Sequence, residues 1–350
     1  MPLHRWFSWR EAANEILKCL DAEPAGFEGR RSRPGDEYEW ILRARAEHTR
    51  LGQDLCEWIF PHLGATASKG QKSLRQRFDR DDLLSKAVLK AAETGRGSVS
   101  PDRVRGKLKV GAPYPTNFPP MVAQAIFERY TPPGGTIWDP CAGWGGRMLG
   151  ALTSLRDYSY VATEVDPRTV EGLRTLGALI ESVTGRCGAF QIVESGSEDY
   201  DERDGDVDFV FTSPPYFDVE DYGAGSADAA AQSHVKFPTR PEWVDGYVKP
   251  TVDNIAKALR PGGRAMINIS DRTGSETDVV DAWVEASLDA GLIFEDAPVL
   301  SLTRRPKKQM QAQVSTKSSN GPKRLAKSPQ TLADYQVRAT HEPLLLFRRR

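Results

Sequence analysis

The chain has 350 residues, a net charge of −1 and 39% hydrophobic residues, so one large or two modest domains with a full core are expected. Its 27% charged and 9% aromatic content exclude a disordered or fibrous chain. No apolar run approaches the roughly 20 residues of a membrane helix, the start Met1-Pro2-Leu3-His4-Arg5-Trp6 lacks an apolar leader, and the scattered Cys19, Cys56, Cys141 and Cys187 form no CxxC pair. A cytoplasmic protein with reduced thiols, no bound metal and no membrane contact is expected.

The first hundred residues carry helical patterns. Ser8 and Glu11 make a capping box ahead of an apolar stripe at Ile16, Leu17 and Leu20. A second helix is expected from about Asp36 to Phe60, stopped by Pro61, and a third from Asp81-Asp82 to Gly95. Between them lie Lys69, Lys72, Arg75, Arg77 and Arg80. This basic stretch suits a solvated face or a contact with an anionic partner.

From about Lys107 strands and helices alternate. Strands are expected at Thr136–Trp138, Tyr158–Glu164, Phe190–Val193, Val207–Phe211, Ala265–Ile269 and Ile293–Leu302. Helices are expected around Met148-Leu149, from Pro167 to Ile180, from Trp243 to Leu259 and from Val279 to Leu288, with Pro261-Gly262-Gly263 as a stop. Such alternation means right-handed βαβ units on a mainly parallel sheet. From Thr303 to Ser328 the chain holds eight cations and no acid, among them Arg304, Arg305, Lys307, Lys308, Lys323 and Arg324. That segment is too polar for a core of its own. Pro343–Phe347 then reads as a strand returning to the sheet, with the basic segment as a long insertion.

Two motifs carry chemistry. Asp139-Pro140-Cys141-Ala142-Gly143-Trp144-Gly145-Gly146 follows a strand and opens a helix. Glycines there let the backbone turn sharply and approach a ligand. Glu164, ending the next strand about 20 residues on, stands where an acid binds a nucleoside ribose. No G-x-G-x-x-G and no phosphate-binding Lys loop is present, so an adenosine ligand without phosphates fits better. The second motif, Thr212-Ser213-Pro214-Pro215-Tyr216-Phe217, follows the strand ending at Phe211. Two prolines remove two donors and leave carbonyls free to accept, beside a hydroxyl and an aromatic ring. Such a site suits a planar group bearing an NH2.

These residues resemble the S-adenosylmethionine-dependent DNA amino-methyltransferases over about residues 117–347. The cofactor motif looks like Asp139 to Gly145, with Cys141 where the family usually has Phe. The catalytic motif (Asp/Asn/Ser)-Pro-Pro-(Tyr/Phe/Trp) is matched by Ser213-Pro214-Pro215-Tyr216, and the Ser form is more typical of cytosine-N4 than of adenine-N6 enzymes. Phage-type DNA methylases are similar in both motifs. Asn117-Phe118-Pro119-Pro120 resembles the segment closing over the cofactor's methionine end, and Glu198-Asp199 the acid near its adenine.

The resemblance implies a Rossmann-like methyltransferase fold, a mixed and mainly parallel sheet with helices on both faces. It would span 101–302 and close with a strand in 341–350. An N-terminal helical region, 1–100, and a basic insertion, 303–340, are the candidate DNA contacts, through Lys69, Lys72, Arg75 and Arg77 and through the six cations named above. It also implies a site-specific enzyme of bacterial, archaeal or phage origin. Its partner nuclease, in a restriction–modification pair, would not be written in this chain. The target base would be flipped out of the duplex. It would be stacked on Tyr216, with Phe217 as a second ring, and its amino group held at Ser213 and Pro214. The absence of a Pro-Cys nucleophile motif argues against a cytosine-C5 enzyme. Two alternatives stay open: an RNA amino-group (guanine N2) methyltransferase, and a non-catalytic DNA-binding protein with a degenerate form of the fold.

Overall fold

The computed structural model describes residues 7–22, 27–28, 41–43, 51–68, 71–95, 97, 99–110, 117–217, 220–222, 230–269, 279–301 and 342–350. The Ser8–Glu11 capping box opens α1 (Trp9–Asp21), whose Ala12, Ile16 and Cys19 are buried. The single helix expected from Asp36 to Phe60 is not found. Ile41–Arg43 is a strand, β2, paired antiparallel with β1 (Phe27–Glu28), the helix described in this stretch is α2 (Gln53–Ile59), and 36–40 and 44–50 lie outside the described residues. A 3-10 turn over Pro61–Ala65 and β3 (Ala67–Ser68) follow.

The helices α3 (Leu74–Phe78), α4 (Asp81–Thr94) and α5 (Pro101–Lys109) pack around Leu74, Ala87, Ala91, Val104 and Leu108. The expected third helix is thus found with its Gly95 stop, and α5 belongs with it although it lies beyond residue 100. By contrast α1 and α2 do not stand apart. Ile16, Cys19, Leu55, Cys56 and Phe60 share a core with the sheet.

The remainder alternates as expected. After α6 (Pro120–Tyr130) come β4 (Thr136–Asp139), α7 (Gly146–Leu152), β5 (Ser159–Glu164), α8 (Pro167–Thr184), β6 (Phe190–Glu194) and β7 (Val207–Thr212). The short β8 (Glu220–Asp221) pairs with β3. The helices α9 (Ser233–Lys236) and α10 (Arg240–Trp243) lead through a π turn, Val244–Val248, into α11 (Lys249–Ala258). The π turn lies just ahead of Pro250, which has no N–H to continue an α-helical ladder. The chain ends with β9 (Leu259–Asn268), α12 (Val279–Asp289), β10 (Ile293–Asp296), β11 (Val299–Ser301) and β12 (Glu342–Arg348). One strand was expected over Ile293–Leu302, and two are found.

The main sheet runs β2-β11-β12-β9-β7-β4-β5-β6, with β10 also on β12. The five strands β9, β7, β4, β5 and β6 are parallel, and β12 is antiparallel to β9. The fold class is therefore the expected Rossmann-like one, a mixed and mainly parallel sheet with helices on both faces. Residues of β12 alternate between the faces, Leu344 and Leu346 into one core, Leu345 and Phe347 into the other. The chain winds β4-β5-β6 in one direction and β7-β9 in the other. The order reverses between β4 and β7, and at such a switch point a crevice opens beyond the strands' carboxyl ends. Among the described residues no helix is long and apolar enough to cross a membrane.

Candidate active site

All strand ends that carry the two motifs fall on that edge. On the β4 side the polar groups are bonded to one another. Asp139 is fully buried and receives Arg147 Nε at 2.7 Å, Arg147 Nη2 at 3.1 Å and the Tyr160 hydroxyl at 2.7 Å. Its carboxylate is consumed in anchoring the turn to α7 and β5, so it positions the cofactor turn rather than lining the crevice. Arg147 also donates to the Cys141 carbonyl. This arginine, the structural partner of the motif, was not singled out from sequence, because nothing local ties it to Asp139.

Gly143 and Gly145 both have positive φ, 53° and 72°. Their surroundings differ. A Cβ on Gly143 would meet only Cys141 O, at 4.0 Å. One on Gly145 would strike Leu176 Cδ2 at 2.7 Å and Phe60 Cε2 at 3.0 Å. Gly145 is therefore required by packing, and Gly143 is the glycine facing open space. The Gly143 N–H donates to Glu164 Oε2 at 3.0 Å, and Val165 and Asp166 N–H donate to Oε1 at 2.9 and 3.1 Å. Burial pushes the Glu164 carboxyl above the ordinary range, against the pull of these three donors. Oε1 is filled by its two donors, and Oε2 keeps one lone pair for a further donor.

The expected entrance segment is in place ahead of α6. Asn117 Nδ2 donates to Trp144 O at 2.7 Å, and Phe118 packs edge-on against Phe211 at 5.1 Å. Pro119 caps α6. The Trp144 ring lies 5.7 Å from that of Tyr222, directly after β8. The stretch following the second motif is thereby joined both to the glycine turn and, through β8 and β3, to the N-terminal segment.

Cys141 Sγ lies 3.2 Å from the Tyr247 hydroxyl in the π turn and 3.9 Å from Ser197 Oγ. Burial pushes its thiol up to about 12, so it stays protonated and is a poor nucleophile at neutral pH. Beyond β6, Glu198 and Asp199 are bridged by Lys236 of α9, at 3.0 and 2.7 Å. Glu198 is 5% exposed and Asp199 62%, so only the former is buried at the crevice.

On the β7 side, Ser213 and Tyr216 are partly buried, and Asn268 Nδ2 donates to Ser213 Oγ at 3.4 Å. Pro214 is buried and Pro215 partly so. Phe217 has φ 51°, a left-handed conformation rare for a bulky residue. Its ring packs on Trp243 at 5.5 Å, and that contact holds the strained turn. Phe217 and Tyr216 are both partly buried against the core that contains Trp243.

Of the expected phosphate contacts, Arg77 donates to the carbonyls of Leu108 and Val110, at 2.5 and 3.3 Å, and so caps α5. Arg75 pairs with Asp79 at 3.0 Å, and Lys72 is exposed. Lys69, Arg304, Arg305, Lys307, Lys308, Lys323 and Arg324 lie outside the described residues.

No protein-family model matches the chain, and no curated protein matches it significantly. Solved structures do match. A TehB-like SAM-dependent methyltransferase from Corynebacterium glutamicum is 14% identical, with 75% of this chain and 99% of that one covered and a TM-score of 0.39. A geranyl diphosphate C-methyltransferase from Streptomyces coelicolor is 12% identical over 65% of this chain and 78% of its own, with a TM-score of 0.40. The [4+2]-cyclase SpnF, 12% identical over 66% and 81% with a TM-score of 0.39, matches as well. Likeness of this degree does not bear on activity or substrate, and function has to be argued from the site.

Proposed function

We propose that the chain is an S-adenosylmethionine-dependent methyltransferase that modifies exocyclic amino groups of bases in DNA, with cytosine N4 favoured over adenine N6. The observation that carries this reading is the position of Ser213-Pro214-Pro215-Tyr216 at the carboxyl end of β7, beside the strand bearing the glycine turn.

The groups present fit the cofactor. Open space at Gly143 leaves room for it, the remaining lone pair of Glu164 Oε2 would accept a ribose hydroxyl, and buried Glu198 would accept from an adenine amino group. No phosphate loop is needed. Bound there, S-adenosylmethionine supplies an electrophilic methyl group on its sulfonium.

The remaining work falls to residues of this chain. Tyr216 would stack on a flipped base, an interaction worth about 1–3 kcal/mol. Ser213 Oγ and the Pro214 carbonyl would accept the amino hydrogens. An exocyclic amino nitrogen is a weak nucleophile because its lone pair is delocalised into the ring. Acceptors on both hydrogens favour a pyramidal nitrogen and aim its lone pair at the crevice, so the acceleration is orientation and electrostatics. Duplex phosphates would be held by the cations of 303–340.

The test is to incubate the protein with tritiated S-adenosylmethionine and duplex oligonucleotides, digest them and identify the labelled nucleoside. N4-methylcytosine is expected. Label in N6-methyladenine alone would correct the base, and label only in RNA, or in no nucleic acid, would overturn the assignment.

A further inference from the structure

Thr212 is the last residue of β7 in register with β9, opposite Ile267. The next pair along the two chains is Ser213 and Asn268, and the Asn268 Nδ2 donates to Ser213 Oγ at 3.4 Å. Asn268 is 3% exposed, and its Oδ1 has no hydrogen-bond partner among the described residues. The hydroxyl of fully buried Thr212 is likewise unpartnered among them. Buried polar atoms left unbonded cost stability, and native proteins rarely tolerate them without a use. Here one of them belongs to the side chain that bonds the Ser213 hydroxyl.

We propose that Asn268 is a positioning residue that fixes the direction of the Ser213 hydroxyl, and through it selects bases carrying an amino group beside an unprotonated ring nitrogen. The inference rests on the base-methylating reading above. A serine hydroxyl has one hydrogen and two lone pairs. The Asn268 amide takes one lone pair, which turns the hydrogen away from Asn268 and towards the ligand. Ser213 then offers a donor and an acceptor side by side. Cytosine matches this pattern with N3 and its N4 amino group, and adenine with N1 and its N6 amino group. Uracil and thymine present the reverse order, a carbonyl beside a ring N–H, and are rejected because a donor meets a donor.

The substitution Asn268→Asp keeps the shape and reverses the hydrogen bond. Its ionised carboxylate only accepts, so it captures the Ser213 hydrogen and leaves the ring nitrogen without a donor. Protonation restores a donor there, and burial brings that protonation towards the assay range. The variant should therefore bind S-adenosylmethionine as the wild type does and methylate cytosine oligonucleotides about tenfold more slowly near pH ~8. It should recover much of that loss near pH ~6, where the wild type gains nothing. A second variant, Asn268→Ala, frees the hydroxyl to rotate. It should narrow the preference for cytosine over uracil at the target position in equilibrium binding with S-adenosylhomocysteine present, even if Asn268→Asp does not fold. An Asn268→Asp protein that tracks the wild type at every pH, or an Asn268→Ala protein with unchanged discrimination, overturns the positioning role alone. A wild-type protein that binds the cofactor and methylates no nucleic acid overturns the parent reading and this inference with it.

Discussion

The two halves of the sheet meet between β4 and β7 and treat their polar groups in opposite ways. On the β4–β5 side the carboxylates of the crevice edge are held from within, Asp139 by Arg147 and Tyr160, and Glu164 by three backbone N–H groups that leave only one acceptor site open on Oε2. On the β7–β9 side the edge carries a strained Phe217 and atoms at Thr212 and Asn268 with no partner among the described residues. The first half is a finished scaffold whose geometry exists before any ligand arrives. The second is completed by what binds there. Saturated groups fix a shape, and unsaturated ones advertise a partner.

The contrast can be broken most severely at Arg147. Arg147→Ala leaves Asp139 buried without its cation, and should lower the unfolding free energy by about 3–5 kcal/mol in denaturant titration. Gly145→Val comes next. The sequence alone suggests that its Cβ would occupy ligand space, but the side chain would meet Leu176 and Phe60 at a positive φ. It should destabilise the fold by about 1–3 kcal/mol, whereas Gly143→Val should melt closer to the wild type and lose cofactor affinity. Tyr216→Ala sharpens the other half, with methyl transfer falling by the equivalent of about 1–3 kcal/mol in single-turnover assays. Smaller still is the effect of replacing Arg304, Arg305, Lys307 and Lys308 together with Ala. Each lost phosphate contact should flatten the slope of log affinity for DNA against log salt by about 0.9. Arg75→Ala, which removes an exposed pair with Asp79, should change stability by less than about 1 kcal/mol.

What the sequence made legible was local. Short apolar runs between helical stretches marked β4 to β7, the glycines marked the turn, and the spacing to Glu164 marked the acid that now bonds Gly143. What stayed hidden depended on distant partners. Ile41–Arg43 looked helical because a three-residue strand carries almost no pattern, and its pairing with β11 comes from the far end of the chain. That Phe217 belongs to the core follows only from the arrival of Trp243 on α10. Arg77 looked like a phosphate contact until the carbonyls of α5 came within its reach. Asn268 had no signal at all, since only the β7–β9 register sets it against Ser213.

The division of labour between the halves is tested most directly by calorimetric titration of S-adenosylmethionine into the wild type, Glu164→Gln and Tyr216→Ala. The wild type should bind one equivalent, and Glu164→Gln, with one acceptor oxygen replaced by a donor, should lose at least about tenfold in affinity. Tyr216→Ala should bind as the wild type does. The wild-type affinity should also decline on acidification from above the ordinary carboxylate range, because burial raises the pH at which Glu164 takes up its proton. A wild-type protein that does not bind the cofactor, or two variants weakened alike, would contradict the account.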